Sequence, residues 1–146
     1  MDLKHVYERF YFSFQLPTAG HCSFVDENQT IRIKMHEHCC EAKFEDILVS
    51  PSSLEEVYRF CCFLKRTINS KPTADIVFFV GPVLRIQVGS AFLLGCYMIL
   101  ALGLSVKETW EHFEELESSS IVTYECSEGL NLMDFWGAVS HARFLI

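Results

Sequence analysis

Seven cysteines, Cys22, Cys39, Cys40, Cys61, Cys62, Cys96 and Cys126, are the chain's reactive nucleophiles. Thiolate attack on a phosphate ester needs one of them at the base of a loop, its pKa lowered by backbone N–H groups. It also needs an arginine at the sixth following position, where the guanidinium grips phosphate bidentately. The sixth residue after each cysteine is Asn28, Glu45, Asp46, Thr67, Ile68, Leu102 and Leu132 in turn. None is arginine, so no catalytic residue is assigned.

Metal chemistry is the second option. His36, His38 and Cys40 alternate, and alternate residues of a strand share a face. No second ligand pair follows at zinc-module spacing, and structural zinc sites close with four ligands. The expectation is a solvated strand end with Cys39 turned inward, and neither metal nor cofactor. The cysteine count is odd, two pairs are sequence neighbours, and Met1 to Glu8 is polar and charged. Free thiols in a reducing compartment, cytoplasmic or nuclear, fit better than a disulfide framework. Thiol redox chemistry through these cysteines stays open as an alternative.

The third constellation lies between Ile76 and Leu104. A β-branched and aromatic run (Ile76 to Val80) meets a Gly81-Pro82 break, then a loop to Val88, then an apolar segment opening at Gly89-Ser90. Strand, loop and buried helix is the architecture of a phosphate loop, because N–H groups at a helix N-terminus point at the anion. Gly81, Arg85, Gln87, Gly89 and Ser90 are the candidate residues of a degenerate loop. Backbone N–H groups at Val88, Gly89 and Ser90 would face an anion, with Arg85 the nearby cation. Weak anion affinity at most is expected, and Arg85 is expected to face solvent or pair with a carboxylate.

The elements that must position these residues fit into 146 residues, enough for one domain with a real core. The net charge of −7 argues against nucleic acid or an anionic membrane as main partner. Val88 to Val106 carries no charge over nineteen positions, a length that can span a bilayer. Diluting glycines and serines, a preceding strand and no flanking basic cluster favour a buried core helix instead.

Strands are expected at Tyr7 to Leu16, His21 to Val25, Thr30 to Met35 and Ile76 to Val80, with a short one at Ile121 to Glu125. The apolar run Ile76 to Val80 should be central. A helix from Leu54 to Asn69 is expected, with Ser53 as N-cap, Glu55 and Glu56 in its first turn, and Tyr58 on its apolar stripe. Ser105-Val106-Lys107-Glu108 reads as a capping box opening a helix to Glu117. Leu130 to Phe144 reads as a last helix, with Leu132, Phe135, Trp136 and Val139 on its apolar side and Asp134 capping or pairing locally. Strands with intervening helices imply an α/β layered domain.

Four stretches carry a resemblance. They are Arg9-Phe10-Tyr11-Phe12 with His21 to Glu27; Pro51 and Leu54 with Val57-Tyr58-Arg59-Phe60-Cys61-Cys62; Ala91-Phe92-Leu93-Leu94-Gly95-Cys96-Tyr97; and Leu132-Met133-Asp134. In order and spacing the chain resembles the N-terminal domain of the Cdc-fourteen-type dual-specificity phosphatases, which act in mitotic exit. That resemblance implies a three-layer phosphatase-like fold, a central sheet with flanking helices and a degenerate phosphate loop. It implies a non-catalytic interaction and specificity module over residues 1–146, with the catalytic domain absent. The alternative is a fragment of an active phosphatase whose Cys-x5-Arg half lies outside this chain. The expected partner is another protein or that missing domain, with self-association possible through Phe135, Trp136 and Phe144. The family's loop is rich in Arg and Lys, whereas this one keeps only Arg85, which weakens an anion role.

Overall fold

The computed structural model describes residues 3–15, 30–35, 51–116, 119–125 and 129–142. Two short strands open it, β1 (Leu3–Tyr7) and β2 (Phe10–Ser13), paired antiparallel. Between them Glu8 takes φ 47°, a left-handed turn conformation. The His5 ring nitrogen Nε2 pins that turn from 2.6 Å of the Glu8 carbonyl. The single strand expected from Tyr7 is therefore a hairpin turn followed by β2.

Strands β3 (Thr30–Lys34) and β4 (Asp75–Phe79) complete a mixed four-stranded sheet in the order β1-β2-β4-β3. Strand β4 is central and parallel to both neighbours, with Phe12 beside Phe78 and Ile33 beside Phe78 in register. Its apolar run is buried on both faces, as such a strand requires. The strand expected at His21 to Val25 lies outside the described residues.

Parallel neighbours need a long crossover, usually a helix. Helix α1 (Pro51–Ser70) supplies it between β3 and β4. It opens at Pro51, not Leu54, so Ser53, Glu55 and Glu56 lie inside rather than capping. Proline's fixed φ suits the first helical position, where no intrahelical N–H bond is needed. Val57, Phe60 and Leu64 are its buried stripe, and Tyr58 is 69% exposed, outside that stripe.

Among the described residues four helices follow: α2 (Leu84–Leu100), α3 (Val106–Glu114), α4 (Ser119–Thr123) and α5 (Leu132–Ala142). The capping box of α3 is present. Ser105 Oγ accepts from the Glu108 N–H at 3.0 Å, and the Ser105 N–H donates to Glu108 Oε1 at 3.1 Å. These bonds stabilise the ionised carboxylate and lower its pKa. Helix α3 stops three residues short of the expected Glu117. The strand expected at Ile121 is helix α4, which buries Ile121 completely. Asp134 does cap locally: it accepts from the Asn131 N–H at 3.0 Å, and Asn131 Oδ1 accepts from the Asp134 N–H at 3.1 Å.

Helix α2 is apolar all round and buried along most of its length. Among the described residues no helix is long and apolar enough to cross a membrane. Aromatic rings tie α3 and α5 to the sheet. Phe12 meets Phe113 at 5.9 Å, and Phe113 meets Trp136 at 5.3 Å. The fully buried Trp136 indole donates to the Phe92 carbonyl at 3.1 Å. The same indole lies against Gly95, where an added Cβ would stand 2.3 Å from the ring.

That contact makes a sign prediction. Gly95→Ala should destabilise by about 1–3 kcal/mol, because a rigid ring cannot yield to the methyl. With Trp136→Ala in place, the same change should become neutral or stabilising by up to about 1 kcal/mol, as alanine favours helix over glycine. Denaturant melts of the four variants measure this coupling, and equal losses in both backgrounds would contradict the packing.

Candidate functional site

The candidate site is the turn between β4 and α2. Val80 leaves the sheet with its N–H donating to the Ser13 carbonyl at 2.9 Å. Gly81 turns the chain at φ 69°, in the left-handed region where glycine carries no side-chain clash. Pro82 and Val83 follow, and α2 begins at Leu84. The Ile86 and Gln87 N–H groups both donate to the Val83 carbonyl, at 3.1 and 3.0 Å. The connection is thus a short turn, where a loop to Val88 is expected from sequence.

Gly81 stays in the turn, and the other four candidates move into the helix. Arg85 is exposed in the first helical turn, not in mid-loop. Gly89 and Ser90 lie within the helix, so their N–H groups and that of Val88 do not line its N-terminus. Ser90 Oγ donates back to the Ile86 carbonyl at 2.6 Å. Gln87 is buried, and its Nε2 donates to the Gly81 carbonyl at 2.7 Å. That bond satisfies a turn carbonyl which a polar loop would otherwise leave to solvent or ligand. The physical reason for the early start is the apolar pattern: Val88 and Ala91 are core residues, and Ile86 packs against that core.

Phosphate chemistry would need successive N–H groups converging on one point beside a thiolate. The only cysteine of α2 is Cys96, wholly buried, with burial raising its thiol well above the ordinary range. Cys61 on α1 is pushed up to about 11, first by burial and then by Cys62. Both are therefore protonated and weakly nucleophilic at neutral pH. Arg85 adds a positive charge at the positive end of the α2 dipole, which is the unfavourable end. Among the described residues no cluster of His, Cys, Asp and Glu is placed to hold a metal. His36, His38 and Cys40 lie outside the described residues.

The interface candidates fare differently. Phe135 is 1% and Trp136 0% exposed, so both are core residues of the α2–α5 contact rather than surface. Their side of α5 faces inward, where Trp136 packs on Gly95. Phe144 lies outside the described residues.

One structural residue escaped the sequence reading. The Arg9 guanidinium donates to the carbonyls of Ile68 at 3.3 Å, Lys71 at 3.0 Å and Ala74 at 3.0 Å, and to that of Pro72. It closes the C-terminal end of α1, whose last turn holds no basic residue, and binds it to the β1–β2 turn. The missing glycine after Ser70 shows that these carbonyls need a donor. Nothing in the spacing points to an arginine so far upstream.

Residues 4–142 match the family described as dual specificity protein phosphatase, N-terminal half. The chain belongs to this family. A dual specificity protein phosphatase CDC14C from Symphalangus syndactylus is 32% identical over 99 residues, covering 63% of this chain and 20% of the relative. Mouse CDC14B is 30% identical over 99 residues, with the same coverage. Human CDC14C is 42% identical over 55 residues, 36% of this chain and 12% of the relative. The chain thus spans at most about a fifth of the length of these relatives. Its sheet and helices suit the N-terminal half of a phosphatase of this family.

Cysteine reactivity follows from the raised pKa values. Alkylation of Cys61 by iodoacetamide should be slow at neutral pH and rise until the pH passes about 11. Mass-resolved labelling rates check this, and a Cys61 plateau near neutral pH would contradict it.

Proposed function

We propose that the chain is a non-catalytic, phosphatase-like domain that acts by contacting protein rather than by hydrolysing phosphate esters. The observation that carries this is the β4–α2 connection. A Cys-x5-Arg loop needs room for successive amides between strand and helix, and here the helix begins three residues after Gly81. Gln87 occupies the Gly81 carbonyl within that turn, and none of the seven cysteines has arginine at its sixth following position.

A second reading shares this domain and differs in context. The chain spans at most about a fifth of its phosphatase relatives, which favours a longer protein whose catalytic half supplies the thiolate and arginine. There the present domain would position the other half or its substrate. The thiol redox reading is weaker, because burial holds Cys61 and Cys96 in the protonated form.

Hydrolysis of p-nitrophenyl phosphate by the purified 146-residue chain tests the proposal. No turnover above the buffer blank is expected. Turnover abolished by replacing a single cysteine with serine would overturn it.

A further inference from the structure

We propose that the outward face of α1 is a docking surface for an extended, acidic protein segment. Val57, Phe60 and Leu64 turn α1's other face into the core. Tyr58, Cys62, Lys65 and Asn69 recur at helical spacing on the outer side, flanked by Arg59 and Arg66. Tyr58 is the most exposed large hydrophobic among the described residues, at 69%.

Past the exposed Glu55 and Glu56 of α1, the charge is one-sided. From Val57 to Ala74 the chain carries four basic residues and no acidic one, although the whole chain is at −7. Arg59 is already paired with Glu55, at 2.6 Å. Lys65 and Arg66 are exposed beyond it. A surface of this composition, an accessible tyrosine beside arginine and lysine, complements carboxylates around an apolar side chain. Tyrosine and arginine are also the residue types that dominate binding energy at interfaces.

The stripe's length sets the occupant's size. Tyr58 to Asn69 spans roughly 16 Å at helical rise, which an extended segment covers with about five residues. A long polyanion fits poorly, because beyond the stripe it would meet an acidic protein. The proposal deepens the protein-contact reading by naming the partner's chemistry. Peptide binding and ester hydrolysis are measured separately, so either can fail without the other.

The probe is a capped pentapeptide of four glutamates around a central leucine, titrated against the 146-residue chain while amide shifts are followed by NMR. Saturable shifts should concentrate between Glu56 and Ser70 and weaken as salt is raised. Lys65→Glu combined with Arg66→Glu should weaken binding about tenfold. Tyr58→Ala should weaken it about threefold, with unchanged stability because the ring is exposed. The same peptide with lysines in place of glutamates should give no shifts. Three results would overturn the proposal: no shifts on α1, shifts indifferent to these substitutions, or equal affinity for a thymidine pentanucleotide.

Discussion

A helix that is apolar on every side has to be enclosed on every side, and α2 imposes that demand on the rest of the molecule. The sheet covers part of it through Phe10, Phe12 and Phe78, while α1, α3, α4 and α5 cover the remainder. Trp136 fixes the arrangement at one point. Its indole donates to the Phe92 carbonyl and lies on Gly95, where no other residue leaves room. This contact sets how α5 sits on α2, and the ring of Phe113 carries it on to Phe12 in the sheet.

The same constraint reaches the turn between β4 and α2. With Gly95 held under the tryptophan, the helix runs back from that point through Val88 and Ile86 to Leu84, each turn supported by core contacts. The chain between β4 and α2 is then left with Gly81, Pro82 and Val83. A turn that short offers no ring of amides, and Gln87 uses the one buried carbonyl that a loop would expose. The closed turn is in this sense a consequence of core packing, and no cysteine has an arginine at its sixth following position. Arg9 does comparable structural work at the other end of the sheet, where it gathers the Ile68 carbonyl of α1 and those of Lys71, Pro72 and Ala74 in the connection that follows.

Much of the fold was legible because it rests on local signals. The alternation of Thr30 to Met35, the apolar run at Ile76, the Ser105 capping box and the apolar side of the last helix all reappear. The candidate site was less legible. Gly89-Ser90 looks like a helix opening because glycine and serine punctuate, yet neighbouring core contacts override that preference and begin the helix at Leu84. Phe135 and Trp136 looked like surface anchors because large aromatics serve both cores and interfaces, and only the partner glycine decides between them. Tyr58 shows the converse: spacing puts it on the apolar stripe, yet it stands one position off the buried Val57 and faces outward. The Arg9 contacts are long-range and leave no trace in spacing.

The closed turn depends on where α2 begins. Native-state hydrogen exchange at the Val88, Gly89 and Ser90 amides reads this directly, since amides inside a buried helix open only with large-scale unfolding. The structure predicts that all three are protected to the same degree as the core amides of Phe92 to Met98. Fast exchange at these three positions, with protection starting only beyond Ser90, would mean a true loop reaches Ser90 and would contradict the closed turn.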